Sequence, residues 1–240
     1  MRFKMIIAYD GANYQGFQSQ KNGIGIQAVI EETFLKISDE KIQIVASGRT
    51  DKGVHALGQV CHFDSNNQMD EHNWFRALNT YLPEDIRVLK IEVVPETFHA
   101  RHSVIKKEYI YLLAKDYNLF ERQHEAYIKY PLDIKKMQTA IKDLVGTHDF
   151  KGFGVYTEHK PTIKTMFEAA LEETDTHLIF SFKANGFLKY MVRSMVGTLT
   201  DIGRGQKDVN TIKQILDTQN RHLVGKTASP EGLYLKQVWY

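Results

Sequence analysis

The sequence predicts an α+β fold, with a mainly antiparallel sheet on one side and helices packed on the other. Apolar residues alternate along some stretches and recur at helical spacing along others. Both kinds of stretch occur in each half of the chain, without strict βα alternation. At 42% apolar and 25% charged over 240 residues, the chain has an ordinary globular composition and enough length for a sizeable core.

Alternation over Arg2 to Tyr9 predicts a first strand, and Asp10-Gly11-Ala12-Asn13 a turn. Ile26, Val29/Ile30, Phe34 and Ile37 have helical spacing, which predicts a helix over 26–37. Strands follow over 41–46 and 54–64, joined by a glycine-containing loop. A helix over 71–81 stops before Pro83, and a strand covers 86–94. In the second half, 108–114 reads as a strand rich in aromatics. Asp133 is an N-cap for a helix to Val145, ended by Gly146. A hairpin is predicted from 162–173 and 177–184, then helices over 187–202 and 209–216, and a last strand over 233–239. The division falls between 1–104 and 105–240, without a Pro-rich or low-complexity linker to mark it.

No apolar run approaches the roughly 18 residues that span a bilayer, and the first residues read as a strand, not a signal peptide. A single cysteine, Cys61, excludes an internal disulfide framework and suits the cytoplasm. A net charge of +2 means that any anionic partner must be held by local cations. The candidates are Arg101-His102 with Lys106-Lys107, Lys160 with Lys164, Arg204 with Lys207, and Arg221-His222 with Lys226. Each reads equally as a solvated surface. His55, His62, His72 and Cys61 lack metal-site spacing, so no zinc is expected. There is no serine nucleophile elbow, phosphate-binding Walker loop or His-Glu-x-x-His.

The segment most suggestive of chemistry is Ser47-Gly48-Arg49-Thr50-Asp51-Lys52-Gly53-Val54-His55-Ala56, between two predicted strands. Arg49 and Lys52 flank Asp51, and nearby cations favour the ionised carboxylate that a nucleophile requires. The same residues also make an Asx-type turn with solvated charges.

The stretch SGRTDKGVHALGQVCHF resembles the signature (A/S)GRTDxGVHAxGQVxxF of the tRNA pseudouridine synthase A family. Further segments resemble the family in order. Tyr9-Asp10-Gly11 with Tyr14, Gly16, Phe17, Gln18 and Gln20 is similar to YDGxxYxGWQxQ. Phe98-His99-Ala100-Arg101 and Lys107-Glu108-Tyr109-Ile110-Tyr111 are similar to FxAR…RxYxY, and His148-Asp149-Phe150 with Phe153 to HDFxxF. Residues 185–193 resemble NxFLxxMVR, and 230–235 resemble PxGLxL. Phe17 stands where the family has Trp, and the acidic Glu108 falls in an otherwise basic stretch.

The resemblance implies the pseudouridine synthase fold: two ferredoxin-like or RRM-like halves forming a curved antiparallel sheet flanked by helices, with a central active-site cleft. It implies a cytoplasmic homodimer acting on uridines 38, 39 and 40 of the tRNA anticodon stem-loop. Asp51 takes the place of the catalytic aspartate, and Arg193 that of its basic partner. Tyr109 matches the tyrosine that stacks on the base, and Arg49 the arginine that holds or displaces the flipped nucleotide. Taken alone, Tyr109 and Tyr111 also read as strand packing, and Arg193 as a snorkelling helix residue.

The implied reaction breaks the N1–C1′ bond, rotates the base and joins C5 to C1′. It needs no redox change or group donor, hence no cofactor. A carboxylate can attack C6, capture C1′, or act as base toward a glycal. A non-catalytic RNA-binding protein and an aspartate-dependent nucleoside hydrolase are the competing readings.

Overall fold

The computed structural model describes residues 1–18, 23–155 and 161–240. The elements run β1 (Arg2–Tyr9), α1 (Ile26–Ser38), β2 (Val45–Ala46), β3 (His55–Asp64), α2 (Glu71–Tyr81) and β4 (Ile86–Val94). They continue with β5 (Lys106–Ala114), β6 (Ala126–Tyr127), α3 (Ile134–Ala140), β7 (Gly146–Asp149), β8 (Ile163–Glu173) and β9 (His177–Ala184). The chain then forms α4 (Met191–Gly203), α5 (Thr211–Thr218) and β10 (Leu233–Trp239). This mixture of helices and mainly antiparallel strands is the predicted α+β class. The chain divides into two compact units, 1–105 with 234–240, and 106–233. The last strand, read from sequence as part of the second half, therefore returns to the first unit.

In the first unit β1 pairs antiparallel with β3 and β4, while β10 adds to β3 in parallel through Tyr234–His55 and Leu235–Ala56. Phe3, Met5 and Ile7 are wholly buried on one face of β1. They join an aromatic core in which Phe34 of α1 lies 4.6 Å from Phe63 and 5.2 Å from Trp74 of α2. Helix α2 begins at Asp70, whose carboxylate accepts the Asn73 amide, and ends where Leu82 turns extended before Pro83. Only Val45 and Ala46 of the predicted 41–46 strand enter a ladder. Ile42 and Ile44 are buried, but the Ile44 amide donates to Glu31 of α1, so a side chain replaces the strand partner.

In the second unit β5 pairs with β9, β9 with β8 and β8 with β7, all antiparallel, and β6 joins β5 in parallel. Tyr111, Phe180 and Phe182 fill its core. The helix predicted to Val145 stops at Ala140 and tightens into a 3₁₀ turn, Ile141–Leu144. Gly146, at φ +124°, opens β7 and does not cap the helix. Helix α4 starts at Met191, four residues later than predicted, because Tyr190 takes a left-handed conformation at φ 65°. Phe187 and Tyr190, placed by the sequence inside a helix over 187–202, therefore precede α4. Most of α4 is buried, and Thr198 and Thr200 satisfy their hydroxyls on carbonyls one turn back.

Candidate active site

Asp51 lies half-buried on the loop between β2 and β3, with Arg49 and Lys52 exposed on either side. Both ends of that loop are tied down. At its start the Ser47 hydroxyl donates to Gln59 Oε1 at 2.7 Å, and Gln59 Nε2 donates to Gly48 O at 2.9 Å. Gln59 is fully buried, so these bonds compensate a polar group removed from water. At its end the Val54 amide donates to Asp51 O at 3.2 Å, across a turn that places Gly53 at φ +74°. Only glycine takes such a conformation freely.

The turn after β1 holds the middle of the loop. Tyr9 and Thr50 share a buried hydroxyl–hydroxyl bond of 2.8 Å, and the Phe17 amide donates to Thr50 O at 3.1 Å. Gly16, at φ +98°, lies against the backbone of Thr50 and Asp51. A side chain on Gly11 would meet Val54 O at 2.0 Å. His55 Nδ1 is 3.1 Å from the Gly11 amide and 3.0 Å from Asp10 Oδ1. One nitrogen can accept from the amide or donate to the carboxylate, so the tautomer selects the partner. The His55 ring stacks on Tyr234 at 4.7 Å. The Tyr9-Asp10-Gly11…Gly16-Phe17 segment and the Asp51 loop thus form one packed object, which explains the presence of both motifs.

Nearby motif residues are structural. Burial pushes the His62 imidazole down to about 4, with further repulsion from Arg2 and His99. Neutral His62 accepts the Ala100 amide at 3.1 Å, and the Tyr240 hydroxyl donates to Ala100 O at 2.7 Å. Cys61 is fully buried, which raises its thiol pKa, so it stays protonated and inert.

Tyr109 and Arg193 belong to the second unit. Tyr109 is 8% exposed, and its ring meets Phe187 edge-on at 5.0 Å. Arg193 stands in the first turn of α4, where the helix dipole disfavours a cation. Its Nε donates to Ala228 O at 2.7 Å, and the Ala228 amide donates to Arg193 O at 3.0 Å. The guanidinium also lies 5.5 Å from the Tyr190 ring centroid. The 228–233 segment that supplies Ala228 is itself fastened to β5. The Leu112 amide donates to Gly232 O, and the Tyr111 hydroxyl donates to Ser229 O. Glu108 pairs across the sheet with Lys183, which also bridges Glu168 at 2.7 Å. Strand alternation places this row on the face opposite Tyr109, which accounts for the acidic residue. Phe150 and Phe153 are core anchors. Gln20 and Lys160 lie outside the described residues.

Sequence reasoning missed Tyr9, Thr50, Gln59, Phe187 and Ala228. Tyr9, Thr50, Gln59 and Phe187 lay within recognised motifs, but only folding reveals what they touch. Ala228 offers its backbone oxygen and has no side-chain signal at all.

Residues 5–103 and 140–240 match the family model described as tRNA pseudouridine synthase. The chain belongs to the tRNA pseudouridine synthase family. Relatives named tRNA pseudouridine synthase A, from Exiguobacterium sibiricum and Streptococcus pneumoniae, are each 44% identical over the whole chain and 96% and 98% of their own lengths. A Bacillus cereus relative, tRNA pseudouridine synthase A 1, is also 44% identical, covering the whole chain and 98% of its own length. As a tRNA pseudouridine synthase the chain is an isomerase, converting uridine in tRNA to the C-linked isomer. No helix among the described residues is long and apolar enough to cross a membrane.

Proposed function

We propose that the enzyme isomerises uridine at positions 38, 39 and/or 40 of the tRNA anticodon stem-loop, with Asp51 as nucleophile. Arg193 acts as the cationic partner of the carboxylate, and Tyr109 stacks on the everted base. Arg49, exposed on the same loop as Asp51, holds or displaces the flipped nucleotide. The enzyme works in the cytoplasm as a homodimer and needs no cofactor, because substrate and product have the same atoms and oxidation state.

The fixation of the Asp51 loop carries this reading. A solvated turn needs no buried Tyr9–Thr50 bond, no Gln59 clamp and no glycines pressed against its backbone. A reacting carboxylate does, because small misplacements are costly in rate. Arg193 fits its role by the same logic. It is held by Ala228 and Tyr190 at a helix terminus that disfavours its charge, so helix stability does not explain it. Taking a base out of the stem costs a few kcal/mol, and stacking on Tyr109 returns about 1–3 kcal/mol of it.

The decisive experiment incubates wild type and Asp51→Asn with an unmodified tRNA transcript and measures pseudouridine, free uracil and tRNA affinity. Wild type is expected to form pseudouridine without free uracil. Asp51→Asn is expected to form neither while retaining affinity. Wild type that binds tRNA yet makes no pseudouridine contradicts the reading, and uracil release points to a hydrolase.

A further inference from the structure

Lys164 of β8 sits opposite His148 of β7 and two residues before Met166. Met166 is 1% exposed and pairs with Ala184, which lies two residues beyond Phe182, the partner of Tyr109. Side chains two apart on a strand share a face, as do cross-strand partners. Lys164 and Tyr109 therefore project from the same face of this sheet.

Lys164 is half-buried on that face. Its Cδ, Cε and Nζ lie 3.8, 3.9 and 3.9 Å from the point where a side chain on Gly186 would begin, so the stem and ammonium run over a residue that has no side chain of its own. The neighbouring backbone is fixed. The Thr165 amide donates to Asn185 Oδ1 and the Asn185 amide to Thr165 O, both at 3.1 Å. Phe187, immediately after Gly186, is the ring that meets Tyr109 edge-on. Among the described residues no carboxylate pairs with Lys164, and burial alone lowers its pKa from the ordinary lysine value.

A cation partly withdrawn from water without an anion is unfavourable. An ammonium offers three donors and no acceptor, so the group that completes it is an anion or a carbonyl. The anions of an RNA strand are its phosphates. We propose that Lys164 binds a backbone phosphate of the tRNA strand beside the target uridine, as a point charge on the sheet face that carries Tyr109. The proposal rests on the placement of Tyr109 against the everted base. Such a contact sets the register of the strand and does not select its bases.

The test compares wild type with Lys164→Met, Lys164→Gln and Lys164→Arg. Met keeps the apolar stem against Gly186, Gln gives a second neutral variant, and Arg keeps the charge. Affinity for an unmodified tRNA transcript is measured across a salt series, together with kcat and KM for pseudouridine formation. Loss of one phosphate contact lowers the slope of log affinity against log salt by about 0.7–0.9, so the gap to wild type should narrow about threefold between ~50 and ~200 mM salt. KM should rise with that gap while kcat stays unchanged, and Arg should restore both slope and KM. A neutral variant with the wild-type salt slope overturns the proposal, as does a fall in kcat with KM unmoved. Failure of wild type to make pseudouridine refutes the proposed function instead, and the salt slopes still judge the phosphate contact independently.

Discussion

Replacing Gly16 by alanine tests whether the turn after β1 holds Asp51 in place. At Gly16, φ +98°, a Cβ would stand 2.8 Å from Thr50 O, against about 3.4 Å for an ordinary contact, so the carbonyl must retreat by the difference, about 0.6 Å. Asp51 is the next residue and moves with it. If a misplacement of ~1 Å costs about a hundredfold in rate, this one costs about tenfold, or ~1.4 kcal/mol of barrier. The positive φ adds about 1–3 kcal/mol of backbone strain, lowering Tm by roughly 2–4 °C per kcal/mol in a chain of this size. Gly205 provides the control: it sits at φ +72°, and a Cβ added there would meet nothing within 4 Å. Gly205→Ala should lose only the backbone-strain part of that stability and keep its turnover. Single-turnover pseudouridine formation at saturating enzyme, beside thermal unfolding, separates the two effects. If Gly16→Ala turns over at the wild-type rate, or Gly205→Ala slows equally, the coupling between this turn and the nucleophile loop is refuted.

Gly197→Ala should act on Arg193 from a distance. Its Cβ would fall 1.8 Å from Lys226 O, so the segment that offers Ala228 O to Arg193 must shift. Turnover is expected to drop about tenfold or more, and full activity in a folded variant would contradict the assigned support. Acid should destabilise the fold through His62. The unfolded imidazole takes a proton near 6.5, while the folded one resists until about 4. Stability present above 6.5 is therefore lost as pH falls through that window, by about 3 kcal/mol in all. Urea midpoints at about pH 7.5 and 4.5 measure it, and His62→Asn, which keeps an acceptor for Ala100, should lose less. Equal losses in both proteins would remove His62 as the cause.

Much of the fold was legible because local patterns and tertiary demands agree. The alternation of Arg2–Tyr9 returns as β1 with one wholly buried face, and the 71–81 helix starts and stops at Asp70 and Pro83 as their chemistry requires. Where other parts of the fold supplied a different partner, the local pattern misled. Glu31 takes the Ile44 amide from a ladder, and a left-handed Tyr190 delays α4. The Asp51 loop was visible as a motif because glycines and charges crowd a few consecutive residues. Its rigidity was not, because Tyr9, Gly16 and Gln59 reach it across the fold.

The sequence by itself determined the α+β class, most elements and the family, since these depend on short-range periodicity and on motifs carried within contiguous stretches. Tertiary structure alone decided that β10 rejoins the first unit, that Ala228 holds Arg193, and that Lys164 shares a face with Tyr109. Each of these depends on strand register or on backbone atoms from distant parts of the chain, and neither quantity is written in the identity of any single residue.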